Sequence, residues 1–96
     1  MSMHNPAHPG AILREYLPES LTITAAADAL HCSRVILSRV LNGHTAVSAD
    51  MAVKLSEFLG TSAEFWLNLQ VQYDLWHAKK AKRARIVPIA ALAASA

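Results

Sequence analysis

The sequence predicts a single all-α domain, and three observations support this fold class. The chain has 96 residues, which suits one domain and is too short for two. Hydrophobic residues make up 53% of it and charged residues 17%, a balance that predicts a compact core. Helix-capping residues recur at short intervals, while the alternating patterns typical of strands are nearly absent. We therefore expect five helices, the last one long and followed by a short tail.

The first two helices are each marked by a residue at the start. Residues 1–8 form a predicted N-terminal arm, after which Pro9 suits the first turn of a helix that Pro18 ends. Thr22 is a suitable N-cap for the second helix, which we expect to run to Leu30.

The third and fourth helices have signals at both ends. Ser33 is the expected N-cap of the third helix, and Gly43 suits the left-handed backbone that follows its end. Ser48 caps the fourth helix, Asp50 complements the dipole of its first turn, and Gly60 closes it.

The fifth helix and the tail complete the chain. Ser62 is the expected N-cap, and no helix breaker follows before about Arg83. We treat residues 79–96 as a basic helix end and C-terminal tail. Within it, we expect residues 86–89 to be extended and residues 90–96 to be mobile.

A helix-turn-helix is predicted at about residues 22–43, within a domain that spans residues 9–78. Only residues 30–33 separate the second helix from the third, and so short a connection forces a sharp angle between them. His31 takes a turn position that usually holds glycine, because the backbone there tends to be left-handed. Histidine tolerates that conformation at modest cost.

The third helix has one apolar face and one face suited to base contacts. Leu37, Val40 and Leu41 form the apolar face. The predicted DNA-contacting residues lie at the helix start and on the opposite face: Ser33, Arg34, Val35, Ser38, Arg39 and Asn42. Arginine can donate two hydrogen bonds to guanine, serine can form a hydrogen bond with either base of a pair, and valine can contact the thymine methyl group. Two arginines by themselves are more typical of a solvent-exposed helix face without a binding function. Their position in a predicted helix-turn-helix favours DNA recognition instead.

Phosphate contacts are expected on both sides of this helix. The start of the second helix near Thr24 offers free N–H groups, and Asn42 and His44 follow the third helix. The net charge is −3 over residues 1–78 and +5 over residues 79–96, so the body would contact DNA through a small patch. The simplest interpretation of the basic residues of this tail is a solvent-exposed helix end, and the alternative is direct DNA binding. They are Lys79, Lys80, Lys82, Arg83 and Arg85.

The fifth helix has two apolar faces, although a surface helix of a monomer needs only one. One face carries Phe65, Trp66, Leu69, Tyr73 and Trp76, and the nearly opposite face carries Leu67, Val71, Leu75 and Ala78. The aromatic face is the better candidate for the core. Leu67, Val71 and Leu75 are therefore the predicted dimer interface; the alternative is that the tail covers them.

Other chemistries lack the residues they need. The single cysteine, Cys32, allows no internal disulfide, and the neighbours Asp74 and His77 have no third metal ligand. No phosphate-binding glycine loop or converging carboxylate pair is present, so we expect no cofactor, no metal and no enzymatic activity. The sequence shows neither a signal peptide nor a stretch long enough to span a bilayer, which predicts a cytoplasmic protein without membrane contact.

Several segments also resemble one family over almost the whole chain. They are the His8-Pro9-Gly10 start with residues 12–15 and Leu17, residues 33–34 with 37–43, residues 48–52 with 54–55, and the block 59–70 with its Glu-Phe-Trp-Leu-Asn-Leu-Gln sequence, followed by residues 73–75. The chain resembles HigA-type antitoxins of the XRE (Cro/C1-type helix-turn-helix) family. That resemblance implies a five-helix, lambda-repressor-like fold, a homodimer, binding to double-stranded operator DNA of its own gene, and neutralisation of a HigB-type mRNA-cleaving toxin. His31 departs from the family pattern. Residues 23–25 also depart from it, because the family often has longer polar residues at these positions. We therefore expect fewer phosphate contacts from the second helix of this chain.

Two other functions remain open on the sequence. A stand-alone XRE regulator without a toxin fits the same residues, because a toxin would be encoded by a different gene. A protein-interaction module that has lost DNA binding is the third function, but such a module would not need Arg34 and Arg39.

Overall fold

The computed structural model describes residues 5–95, which form six α-helices and no strand. The helices are α1 (Pro9–Tyr16), α2 (Ile23–Ala29), α3 (Arg34–Leu41), α4 (Ala49–Leu59), α5 (Ala63–Lys80) and α6 (Ile89–Ser95). The predicted all-α class is confirmed, with α1–α5 as the expected five helices and α6 as an addition. Residues 1–4 of the predicted arm and residue 96 of the tail lie outside the described residues.

Side-chain caps begin each of the first five helices. Four predicted N-caps accept a hydrogen bond from the backbone N–H three residues later, at 3.0–3.1 Å: Thr22, Ser33, Ser48 and Ser62. The fifth cap was not predicted. His8 begins α1, and its Nδ1 accepts a hydrogen bond from the backbone N–H of Gly10 at 2.9 Å. Each cap satisfies a donor that the helix leaves free, which stabilises the helix by about 1 kcal/mol.

The core lies between the inner faces of α1–α5. Leu37, Val40 and Leu41 are buried, so the predicted inner face of α3 is confirmed. The largest fully buried side chains come from four of the five helices and the turn after α2: Leu13, Leu30, Leu37, Leu55 and Trp66. This core holds α3 by one face and leaves the other face on the surface.

The start of α1 lies unusually close to the end of α3. A Cβ atom on Gly10 would be 1.9 Å from the carbonyl oxygen of Val40, so the backbones can approach this closely only with glycine at this position. Beside it, the His8 ring meets the Tyr73 ring edge-on at 4.9 Å between centroids. The His8-Pro9-Gly10 segment therefore connects α1, the end of α3 and α5.

The sharp turn between α2 and α3 has the predicted left-handed residue. His31 has a φ of 53°, and its carbonyl accepts a hydrogen bond from Nζ of Lys54 at 3.2 Å. The same ammonium group pairs with Asp50 at 3.2 Å. Lys54 of α4 therefore supports the turn from outside.

The C-terminal segment differs from the expectation in two places. α5 ends at Lys80 rather than near Arg83, because the backbone turns extended at Ala81. Residues 86–88 lie outside any helix, but Ile89, expected to be extended, begins α6, and residues 90–95, expected to be mobile, are helical in it. The helix is alanine-rich, and the carbonyl of Pro88 accepts hydrogen bonds from the N–H groups of its first turn, so local propensity accounts for this difference.

Replacing Gly10 with alanine tests the contact between α1 and α3. We expect Gly10→Ala to lower the free energy of unfolding by about 3 kcal/mol, because the new methyl group must displace a backbone carbonyl. Gly60→Ala is the control: Gly60 has a left-handed φ of 74° but open space around it, so the new methyl group meets no atom and only backbone strain of about 1 kcal/mol should result. Urea denaturation measures both. An increase in stability for Gly10→Ala, as helix propensity alone would give, contradicts the contact.

Candidate nucleic-acid interface

The outer face of α3 presents a compact group of side chains to solvent. Arg34, Val35 and Arg39 are exposed, Val35 with 67% of its surface accessible, and Ser38 is partly buried between them. Together they line a shallow hollow of about 190 Å³. The structure thus brings together four of the predicted base-contacting residues, and they combine two cationic groups, a hydroxyl and a small apolar surface.

Ser33 has a structural task as well as a predicted contact. Its Oγ accepts the N–H of Ile36 at 3.1 Å, which is the cap of α3. The side chain stays exposed at the helix start.

The predicted phosphate-contacting residues flank α3. Thr24 is exposed in the first turn of α2. Asn42 is the C-cap of α3, and His44 follows it, exposed, with its backbone N–H donating to the carbonyl of Arg39 at 2.8 Å. These residues therefore occupy the two ends of the helix-turn-helix, as the sequence suggested.

Arg14 is part of this region, although sequence reasoning missed it. Its Nε donates to the carbonyl of Leu41 at 3.1 Å, and its Nη2 donates to Oδ1 of Asn42 at 2.7 Å. Nδ2 of Asn42 in turn donates to Oγ of Ser38 at 3.3 Å. Arg14 lies 27 and 28 positions before its partners, so no local pattern could have revealed the contact.

Gln70 joins α5 to the loop that follows α3. Its Oε1 accepts the backbone N–H of Val47 at 2.8 Å, and its Nε2 donates to the Asp74 carboxylate at 3.0 Å. Gln70 is buried on the same face as Trp66, four residues earlier, whose side chain is fully buried. The helical spacing from Trp66 was the signal that could have located it.

The second face of α5 is largely uncovered in the single chain. Val71 and Leu75 expose 52% and 51% of their surfaces, while Leu67 packs in part against the core. The expectation that the aromatic face turns inward is confirmed for Trp66, and Phe65 and Leu69 pack against the same core. The dimer interface at Leu67, Val71 and Leu75 stays a prediction.

The surroundings of His8 lower its pKa, which favours the neutral form of the ring. Burial lowers its pKa below the ordinary value, while a hydrogen bond from the ring to the Thr45 backbone and the Asp74 carboxylate act in the opposite direction. The neutral ring is the form that accepts from Gly10, because a protonated imidazole has no acceptor nitrogen.

The described residues show neither a metal site nor a membrane-spanning helix. Among residues 5–95, no three histidine, cysteine, aspartate or glutamate side chains come together as metal ligands. The neighbours Asp74 and His77 have other contacts: the Asp74 carboxylate accepts a hydrogen bond from Gln70, and the His77 ring packs on Tyr73 and Trp76. Within the same residues, no helix has both the length and the apolar character required to cross a membrane.

Comparison with known proteins places this surface in a family. The family described as helix-turn-helix, HTH_3, matches residues 12–66, more than half of the chain. Virulence-associated protein A′ of Dichelobacter nodosus is 47% identical over 75 residues, which cover 76% of this chain and 65% of that protein. The chain thus spans just under two thirds of that relative.

Two antitoxins are also similar to the chain. Antitoxin HigA-1 of Vibrio cholerae is 40% identical over 73 residues, 74% of this chain and 69% of that protein. The solved structure of Pseudomonas aeruginosa antitoxin HigA with the higBA promoter has a TM-score of 0.72 and 43% identity, over 76% of this chain and 82% of that one. The chain therefore belongs to the helix-turn-helix family of DNA-binding proteins and, within it, to the XRE-type group that contains the HigA antitoxins.

Proposed function

We propose that this chain is an antitoxin that represses its own operon as a dimer bound to operator DNA and neutralises a HigB-type mRNA-cleaving toxin. The outer face of α3 carries the proposal, because Arg34, Val35 and Ser38 stand together on an exposed helix of a helix-turn-helix. The HigA relatives support the antitoxin role. An operator and an mRNA-cleaving toxin are both cytoplasmic targets, so the protein would act there.

Operator recognition would use the two ends of the helix-turn-helix differently. With α3 in the major groove, Arg34 and Arg39 can donate to guanine, and Val35 can contact a thymine methyl group. Ser33 and Ser38 add hydroxyl groups on the same face. Thr24, Asn42 and His44 would contact phosphates, which orient the protein but carry no sequence information.

Dimerisation would give the operator its symmetry. The α3 surface spans few base pairs, and a two-fold dimer places a second copy about one helical turn of DNA away. The uncovered stripe of Val71 and Leu75 on α5, with Leu67 beside it, is the surface proposed for the partner copy. The bond between Gln70 and Val47 would then fix each α3 relative to the interface.

Two other functions remain in competition. A stand-alone regulator of the XRE type would bind DNA in the same way and lack a toxin partner. An interaction module without DNA binding is opposed by the exposed arginines of α3, which contribute nothing to the core.

Removing the Arg34 side chain tests operator recognition. We expect Arg34→Ala to weaken binding to the promoter DNA of its own gene by about 1–3 kcal/mol and to relax its sequence preference. Folding should be unchanged, because Arg34 is exposed. Arg85→Ala removes an exposed arginine of the tail and is the matched control, for which selectivity should persist. Fluorescence anisotropy with specific and scrambled DNA measures both, and equal binding by wild type and Arg34→Ala would refute the α3 assignment.

A charge on α5 tests the dimer. We expect Val71→Asp to give a folded monomer, because dimerisation would bury the carboxylate without a counter-ion, and to lose most operator affinity. Val53→Asp on α4 is the control, since Val53 is exposed to a similar extent, 49% against 52%. Light scattering gives the mass of each variant. If Val71→Asp stays dimeric with normal DNA binding, the interface lies elsewhere on the chain.

Co-expression tests the antitoxin role. Where a short open reading frame adjoins this gene, it is expressed from an inducible promoter, and we expect it to arrest growth and cleave mRNA. Expression of this chain should restore growth, and Arg34→Ala should restore it equally well, because α3 faces DNA rather than toxin. Absence of such a toxic neighbour would support the stand-alone regulator instead.

A further inference from the structure

Three polar side chains from two helices form a hydrogen-bonded relay that ends on the DNA-facing surface. Arg14 of α1 donates to Oδ1 of Asn42 at 2.7 Å, and Nδ2 of Asn42 donates to Oγ of Ser38 at 3.3 Å. Arg14 is held in place by a second bond, from its Nε to the carbonyl of Leu41 at 3.1 Å. The guanidinium group is therefore anchored at two points at the C-terminus of α3.

The chemistry of arginine sets the direction of this relay. A guanidinium group has only donors, so the Asn42 atom that faces Arg14 must be the carbonyl oxygen. The amide nitrogen of Asn42 then faces Ser38, and it too can only donate. Ser38 is left with one possible role toward Asn42, that of acceptor.

The proton of the Ser38 hydroxyl remains available. Oγ of Ser38 accepts from Asn42, and within residues 5–95 the structure shows no group that accepts a hydrogen bond from the Ser38 hydroxyl. The side chain lies in the hollow lined by Arg34, Val35 and Arg39, where a base edge would enter. A serine without such partners can donate or accept, and it distinguishes bases poorly.

We infer that Arg14 and Asn42 are positioning residues that turn Ser38 into a dedicated hydrogen-bond donor to the operator. Ser38 would then favour guanine, whose N7 and O6 are acceptors in the major groove, or thymine, whose O4 is an acceptor. Cytosine presents only an amino group there and would be disfavoured, and adenine, which presents both N7 and an amino group, would be intermediate. This inference rests on the proposed operator binding and adds a specificity rule to it.

Exchanging the amide of Asn42 for a carboxylate reverses the relay. In Asn42→Asp, one carboxylate oxygen accepts from Arg14, and the other accepts the Ser38 proton, so Ser38 offers lone pairs to the base. We measure binding of wild type, Ser38→Ala and Asn42→Asp to a library in which every operator base pair is varied. Ser38→Ala should flatten the preference at one base pair, and that base pair is the one Ser38 contacts.

At that base pair, wild type should prefer guanine or thymine over cytosine on the strand that faces Ser38 by about fivefold, as expected for one hydrogen bond. Asn42→Asp should shift the preference there to a base with an amino group. His44→Asp is the charge control: it adds a negative charge next to the same helix end, and it should weaken all operators alike without changing their ranking. Thermal unfolding confirms that each variant is folded.

Arg14→Met provides a second route if Asn42→Asp does not fold. Methionine keeps most of the length of the arginine stem but removes both donors, so Asn42 is free to rotate and the preference at the Ser38 base pair should weaken by about fivefold. Arg14→Lys keeps donors at this position and should restore part of the preference. Base pairs contacted by Arg34 should keep their ranking in both variants.

The outcomes separate the relay from the operator function on which it rests. If wild type binds no operator selectively, the proposed function fails. If wild type is selective, but prefers an amino group at the Ser38 position or keeps its ranking in both Asn42→Asp and Arg14→Met, the relay inference is wrong. The Ser38 hydroxyl would then donate to its own helix backbone rather than to DNA.

Discussion

The close approach of α1 to the end of α3 is the contact on which the candidate DNA-binding surface depends. Only a residue without a side chain allows the backbone at Gly10 to meet the carbonyl of Val40. At that distance Arg14, one turn later on α1, reaches Leu41 and Asn42. A wider separation between the helices would place these atoms out of hydrogen-bonding range, and the end of α3 would lose its anchor.

Charge alone gives the helix-turn-helix domain, without the basic tail, little attraction for DNA. Residues 1–78 carry a net charge of −3, and the two arginines on the outer face of α3 are the main cations of the helix-turn-helix. Binding that cannot rely on many phosphate contacts must rely on well-placed donors and on the second half of a dimer. Two hydrogen-bonded contacts are consistent with that demand, because they fix positions and add no cation to the outer face of α3: Arg14 with Asn42 at the end of α3, and Gln70 with the backbone of Val47 in the loop that follows.

Local signals predicted most of the fold. The caps Thr22, Ser33, Ser48 and Ser62 bond within three residues, and the left-handed His31 is a property of one turn, so each could be inferred from neighbouring residues. The contacts that were missed join distant parts of the chain, such as Arg14 with Asn42 and Gln70 with Val47. The helix α6 was missed for another reason, because an alanine-rich segment next to Pro88 has a weak and ambiguous pattern, and the end of α5 at Lys80 is marked by neither glycine nor proline.

The exposure of Val35 has a consequence for how such repressors can diverge. Val35 and Arg34 stand outside the core, so replacing them would change the proposed base contacts at little cost to folding. Gly10, by contrast, admits no larger residue without moving a helix. New operator preferences could therefore arise by single substitutions on a scaffold that stays intact, and two paralogues in one cell could separate their promoters while they keep the same architecture.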